Sequence, residues 1–164
     1  MQYLGIEFSL KNQPRLDGDF IPFGVWERAY LKGAEKPFRI AVEREGGLVS
    51  VFETKLRGPE FAEANYRYAE RFVKMLLWSV GGWKVTLCGD DALTKRMQDE
   101  YREGGKREFD VGFMQDVYER PFEIVLSDEA HFPQAHEQTR KVGGHTNGCR
   151  IGFDAGGSDR KVSA

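Results

Sequence analysis

Residues 151–164 read IGFDAGGSDRKVSA. A short apolar strand delivers Asp154 to a tight turn of Gly156, Gly157 and Ser158, and Lys161 follows on a second short strand. Adjacent glycines let a backbone approach phosphate oxygens with no Cβ in the way, and their N–H groups can point into the turn. Ser158 adds a hydroxyl donor and Lys161 a compensating positive charge. Asp154 repels phosphate directly, so its carboxylate suits such a site only through a bound Mg2+ and its water shell. A glycine-rich turn after a strand is also simply a hairpin, and one hairpin offers too few contacts to hold a nucleotide alone.

This run of apolar-Gly-apolar-Asp-x-Gly-Gly-Ser resembles the first phosphate loop of the ATPase superfamily of actin, the heat-shock chaperones and the sugar kinases. Its double glycine is most similar to the hexokinase and ROK (repressor, open reading frame, kinase) branches. The resemblance covers about fifteen residues, a motif of moderate specificity. It implies ATP and Mg2+ as cofactors, with Asp154 matching the metal-water carboxylate and Gly156, Gly157 and Ser158 the phosphate cradle. Lys161 stands where many members carry a basic residue. Two departures are visible: Ser158 replaces the commoner threonine, and Asp159-Arg160 stands where a less charged pair is usual. A ROK-like domain also needs a second phosphate loop, an adenosine-binding segment and a catalytic aspartate to deprotonate a sugar hydroxyl.

None of these follows residue 164. The expectation is therefore the N-terminal portion of a ROK-like sugar kinase or ATPase, with a nucleotide and a sugar as partners of the parent and no phosphoryl transfer by this piece alone. Two alternatives stand beside it. One is a non-catalytic α/β binding or interaction module with an accessory hairpin. The other is an ATPase that activates a partner enzyme; such activators rely on cysteine-bound clusters, for which Cys88 and Cys149 give thin support.

The bulk numbers bound these readings. A chain of 164 residues, 40% hydrophobic and 13% aromatic, can bury one sizeable core. A net charge of −2 and a pI near 6.0 give no basic excess for nucleic acid. MQDEYREGGKREFD mixes its charges as a solvated face does. The start has no basic and apolar leader regions, and MLLWSVGGW is far short of a membrane span. Two cysteines are too few for a disulfide scaffold. A cytoplasmic protein with no membrane partner is expected.

The elements that must position the chemistry read as follows. Residues 1–37, broken by Pro14, Gly18, Pro22, Gly24 and Pro37, read as an irregular arm or edge strands packed by Phe20, Phe23 and Trp26. Residues 38–127 read as an α/β domain. FRIAVE and LVSVFETK alternate as a hairpin about Gly46-Gly47. A helix runs from Pro59 to Gly81-Gly82, with Phe61, Tyr68, Phe72, Met75 and Leu76 on its apolar side. WKVTLC is a buried strand, and Asp90 or Asp91 caps a helix that turns Leu93, Met97 and Tyr101 inward. FDVGFMQDVYE is a short helix and PFEIVLS a last strand. The fold class is α/β, a mixed or parallel sheet with flanking helices. Its element order is reminiscent of a degenerate ribonuclease-H-like half, whose EREGGLVSV turn has glutamates where a phosphate-loop aspartate and hydroxyl would stand. Residues 128–148 are a linker by composition, and the resemblance implies that 149–164 are the first hairpin, with its phosphate-loop turn, of a truncated actin-like ATPase domain.

Other constellations carry less. Gly89, Asp90 and Asp91 meet a helix where ligands often bind, yet capping accounts for an aspartate there without a metal or sugar. His131, His136, His145 and Cys149 match no compact zinc spacing and read as solvated linker residues. Cys88 reads as a small buried hydrophobe. Trp26, Trp78 and Trp83 read as core, and nothing in the sequence favours an exposed aromatic stripe for sugar stacking.

Overall fold

The structure is a computed structural model that describes residues 1–144 and 147–164. It is a mixed α/β fold. Strands β3 (Lys36–Glu43), β4 (Val49–Leu56), β5 (Lys84–Cys88) and β6 (Glu123–Leu126) form one sheet in the order β4-β3-β5-β6. Two short strands, β1 (Gln2–Tyr3) and β2 (Ile6–Glu7), precede it as a separate antiparallel pair. β3 runs antiparallel to both β4 and β5, whereas β5 and β6 are parallel. The parallel pair is joined through helices α3 (Asp91–Glu100) and α4 (Glu108–Tyr118), because parallel neighbours need a crossover. Ile40 lies opposite Phe52 on one side and Leu87 on the other, and Val42 opposite Val85. With side chains alternating every second residue, this register buries Phe38, Ile40, Val42, Val85 and Leu87 completely beneath the helices.

The helix read between Pro59 and Gly82 forms as a 3-10 turn, Pro59–Phe61, leading into α2 (Ala62–Ser79). Its buried stripe is Tyr66, Ala69, Val73, Leu76 and Leu77, so Met75, expected inside, lies off the stripe and is 49% exposed. Gly82 ends the segment where a Cβ would lie 2.4 Å from Val42 Cγ1 and 2.9 Å from the Glu43 carbonyl oxygen. Between α2, α3 and α4 the apolar core encloses a buried charge. Glu70, only 1% exposed, is held by the Arg107 guanidinium at 2.6 Å and accepts a hydrogen bond from the Tyr101 hydroxyl at 3.4 Å.

Within residues 1–37, read as an irregular arm, the structure has helix α1 (Phe23–Leu31). Pro22 and Gly24 look like breaks in the sequence, but Pro22 occupies the N-cap position, where its fixed φ and missing N–H cost nothing. Trp26 stacks on Tyr30 at 5.3 Å and Tyr30 on Tyr68 of α2 at 4.7 Å, which makes α1 part of the main core. Phe20, expected to pack there, is 53% exposed on the preceding loop.

Asn65 ties these pieces together. Its Oδ1 accepts from the Tyr30 hydroxyl at 2.6 Å and the Arg57 N–H at 3.0 Å. Its Nδ2 donates to the carbonyls of Arg57 at 3.0 Å and Gly58 at 3.3 Å. The Arg57 side chain turns back to the carbonyls of Tyr30 at 2.7 Å and Ala29 at 2.9 Å, sealing the end of α1.

The sheet's other face is covered by chain, where composition reads as linker. From the end of β6, residues 128–137 pass over β5 and β3 to the outer edge of β4. Phe132 packs on Ala41 and Cys88 beside Val49 and Val51, and the Arg39 guanidinium lies 4.2 Å from its ring centre. His136 then exchanges two backbone hydrogen bonds with Val49, at 2.8 and 2.9 Å. Beyond it the chain ends in a two-stranded antiparallel hairpin, β7 (Gly152–Ala155) and β8 (Arg160–Ser163).

Of the two aspartates before α3, Asp90 is the cap: its Oδ1 accepts from the Leu93 N–H at 2.9 Å. Asp90→Ala should cost about 1 kcal/mol in urea denaturation, and Asp90→Asn much less, since asparagine caps as well. The exposed ion pair from Lys36 to Asp90 at 3.0 Å adds little to either difference.

Candidate functional site

Strand register places Asp154 directly opposite Lys161 and Phe153 opposite Val162. Paired residues share a face and successive residues alternate, so Asp154 and Lys161 lie on one face, and Phe153 and Val162 lie on the other together with Ala155 and Arg160. Every residue from 149 to 164 is exposed, including Phe153 at 64% and Val162 at 65%. Gly156, Gly157, Ser158 and Asp159 form the connecting loop. Neither glycine takes a left-handed φ. Gly156 is needed for space, because a Cβ there would meet the Asp159 carbonyl oxygen at 2.9 Å and its Oδ1 at 3.0 Å. A Cβ on Gly157 would meet nothing, which leaves open room above the turn where a ligand could approach its backbone. Lys161 Nζ sits 3.6 Å from Asp159 Oδ2, so the unusual Asp159 takes part of the charge that the phosphate reading assigns to a ligand.

The histidines and cysteines disperse. His131 Nδ1 bonds Asp128 Oδ1 at 2.7 Å, and His136 Nδ1 lies 2.9 Å from the Gly47 carbonyl. Hydrogen bonds from the His131 backbone and ring hold the Asp128 carboxyl below its ordinary range. Cys149 is exposed; His145 lies outside the described residues. Among the described residues no three His, Cys, Asp or Glu side chains gather as a metal site. Cys88 is buried under Phe132, and its thiol donates to Glu129 Oε1 at 3.5 Å. Burial pushes that thiol up, and the Glu129 carboxylate adds to the effect, so it stays protonated near neutral pH. Asp90 is engaged in capping, and Asp91 is the first residue of α3.

A second site emerges that the sequence reading passed over. A groove of about 920 Å3 runs between the 17–21 loop, α1 and α2. Tyr3, Phe23, Trp26 and Phe72 floor it. Arg67, Arg71 and Lys74 line the α2 side, and Asp17, Asp19 and Glu27 line it from the loop and α1. At one end Trp78 carries the apolar surface onward, stacking on Phe113 at 4.8 Å. Its indole N–H bonds Asp110 Oδ1 at 2.7 Å, and Lys74 bonds Asp110 Oδ2 at 3.0 Å, fixing α2 to α4. The four-residue spacing of Arg67 and Arg71 was visible in the sequence, but it reads there as a solvated helix face. The missing signal was α1, without which the groove has no second side.

No family model, curated protein or solved structure matches the chain. Among the described residues no helix is long and apolar enough to cross a membrane.

Two measurements follow from these geometries. Burial pushes the Glu27 carboxyl up, with Arg28 opposing. The folded chain therefore holds that proton more tightly than the unfolded chain, and ionising Glu27 costs stability once pH rises past the unfolded value. Glu27→Gln should raise the melting temperature near pH 7 by roughly 1 °C, an advantage that fades below about pH 4. In the second, a thiol reagent should modify Cys149 quickly and Cys88 slowly. Phe132→Ala should speed the Cys88 reaction by about ten-fold or more, because the cover over it opens locally.

Proposed function

We propose that the 149–164 hairpin is the first phosphate-binding element of an ATP- and Mg2+-dependent, ROK-like sugar kinase or ATPase, and that the α/β body is the module accompanying it. One observation carries this reading: Asp154 and Lys161 face each other in register below the Gly156-Gly157-Ser158 turn, while Phe153 and Val162 are exposed on the opposite face, with Arg160 beside them at its turn end. A hairpin of this size is marginal by itself. One that exposes Phe153 and Val162 suits a place in a larger sheet, with both of them covered and Asp154 and Lys161 toward a ligand.

The donor set fits the group. Backbone N–H groups of Gly157 and Ser158 and the Ser158 hydroxyl would hold phosphate oxygens, and Asp154 would hold Mg2+ through water. Bound there, the ion would neutralise phosphate charge. Lys161 is available to the same end, since its exposed pairing with Asp159 is weak and easily exchanged. The finer likeness of the body to a ribonuclease-H-like half rests on element order alone. Glu45 at the Gly46-Gly47 turn favours a copy that binds no nucleotide.

A second reading, an interaction module, is favoured by the exposed aromatic surface of Trp78, Phe109 and Phe113, exposed by 47, 72 and 42%.

Isotope-edited NMR of the chain titrated with Mg·ATP tests the first reading. The amides of Gly156, Gly157 and Ser158 should shift and saturate with a dissociation constant of roughly 1 mM, as expected for so few contacts. Asp154→Ala should abolish the Mg2+ dependence. Gly157→Ala should weaken binding while leaving the β7–β8 signals in place. A loop whose amides do not respond would overturn the assignment.

A further inference from the structure

Two half-buried charged side chains of the groove between α1 and α2, Arg67 and Glu27, form no hydrogen bond or ion pair among the described residues, although the Arg28 charge is felt by Glu27. Arg39, Arg44, Arg67 and Arg107 each bury an Nε with no hydrogen bond. Three of them hold carboxylates through the same guanidinium: Arg39 with Glu129, Arg44 with Glu137 and Arg107 with Glu70. Arg67 differs. Among the described residues it makes no hydrogen bond, ion pair or ring contact, although it is half-buried in the groove wall. Glu27, also half-buried, forms no hydrogen bond or ion pair among the described residues. Its carboxyl is pushed up by burial, the mark of a charge short of stabilising contacts.

Both residues line the same groove, yet they do not pair with each other. Leaving a half-buried cation and a half-buried anion unsatisfied costs free energy that a direct pair would partly recover. The same groove is lined by the apolar rings of Phe23 and Phe72. The complement to this arrangement carries a negative group for Arg67, a positive group for Glu27 and an apolar body for the floor.

We propose that the groove binds a small zwitterion with an apolar body, an apolar α-amino acid in its free form. The planar guanidinium of Arg67 takes the carboxylate by a two-pronged hydrogen bond, with Arg71 one turn away adding field. Glu27 takes the ammonium. The side chain lies on Phe23 and Phe72 and extends toward Met75. A phosphorylated or doubly anionic ligand meets Asp17, Asp19 and Glu27 as like charges. A simple amine meets Arg67 and Arg71 in the same way. A neutral sugar leaves both charges unanswered. The site shares no residue with the β7–β8 hairpin and stands or falls apart from it.

The experiment is a titration of the whole chain with L-phenylalanine and with L-leucine. Tryptophan fluorescence reports on the groove through Trp26 and Trp78, and NMR follows their indole N–H signals. Saturable binding is expected, with a dissociation constant of roughly 0.1 mM. Phenylacetate and phenethylamine, which each keep one charge, should bind at least about ten-fold more weakly. Arg67→Gln and Glu27→Gln should each weaken L-phenylalanine by at least about ten-fold, while exposed Lys95→Gln changes nothing. Neither Arg67 nor Glu27 has a hydrogen bond or ion pair to lose among the described residues, so both variants should keep the parental circular dichroism and a cooperative melt. Gly157→Ala should bind the amino acid normally, separating this site from the hairpin. Equal binding of phenylacetate would make the groove a plain anion site and overturn the proposal. So would binding of only a longer apolar peptide, or no response to any of these probes.

Discussion

Asn65 is 3% exposed at the point where the end of β4, the 3-10 turn before α2 and the C-terminal half of α1 converge. A buried amide of this kind is stable only when both its oxygen and its nitrogen are answered, and here they are. Two donors reach Oδ1, and two carbonyls receive Nδ2. The network leaves little freedom, since moving α1 away would break the buried hydrogen bond from the Tyr30 hydroxyl to Asn65 Oδ1 and leave that hydroxyl unanswered. Arg57 adds a second clasp by running its side chain back along the end of α1, and Gly33 leaves the room it needs. The separation of α1 from α2 is thereby set, and with it the width of the groove that holds Arg67 and Glu27 apart. A polar node dictates the shape of an apolar cleft.

The two faces of the sheet are covered by different physics. Helices bury one face with large aliphatic and aromatic side chains in register. The other face receives a single extended segment whose one large apolar contact is Phe132. Charged groups supply the rest: Arg39 lies over the Phe132 ring and also reaches Glu129 at 3.0 Å and Glu53 at 3.5 Å. Such partly exposed pairs contribute little apiece, so this cover is held more by its geometry than by its depth of burial. The terminal hairpin is the extreme case, with strand pairing and nothing buried.

How much of this was legible depended on whether the information was local. The β3–β4 hairpin shows itself through alternation and Gly46-Gly47, and α3 through Asp90 followed by Leu93, Met97 and Tyr101, all of which lie as their spacing requires. Helix α1 was hidden because Pro22 and Gly24 suggest breaks, while the force that makes it helical is the packing of Trp26 and Tyr30 against a helix some forty residues later, about which local spacing says nothing. The covering segment was hidden for the same reason: DEAHFPQAHEQ is polar by composition, and only Phe132 and a main-chain pairing at Val49 hold it down. Of the candidate site residues, the hairpin set could be read directly. The Arg67–Glu27 pair could not, since it exists only after two distant helices are brought together.

The covering segment also bears on the order in which the molecule assembles. Its contacts join residues far apart in the chain: Arg39 to Glu129 across 90 positions and Gly47 to His136 across 89. The β3–β4 hairpin, by contrast, closes over a handful of residues. Loop-closure entropy places the long contacts last, after the four strands already offer a platform. Until then the face around Ala41 and Cys88 is bare, and a growing or refolding chain presents it to whatever is nearby. The last stretch to settle is the one that conceals the sheet's second face, which makes residues 128–137 the molecule's own safeguard against sticking to its neighbours there.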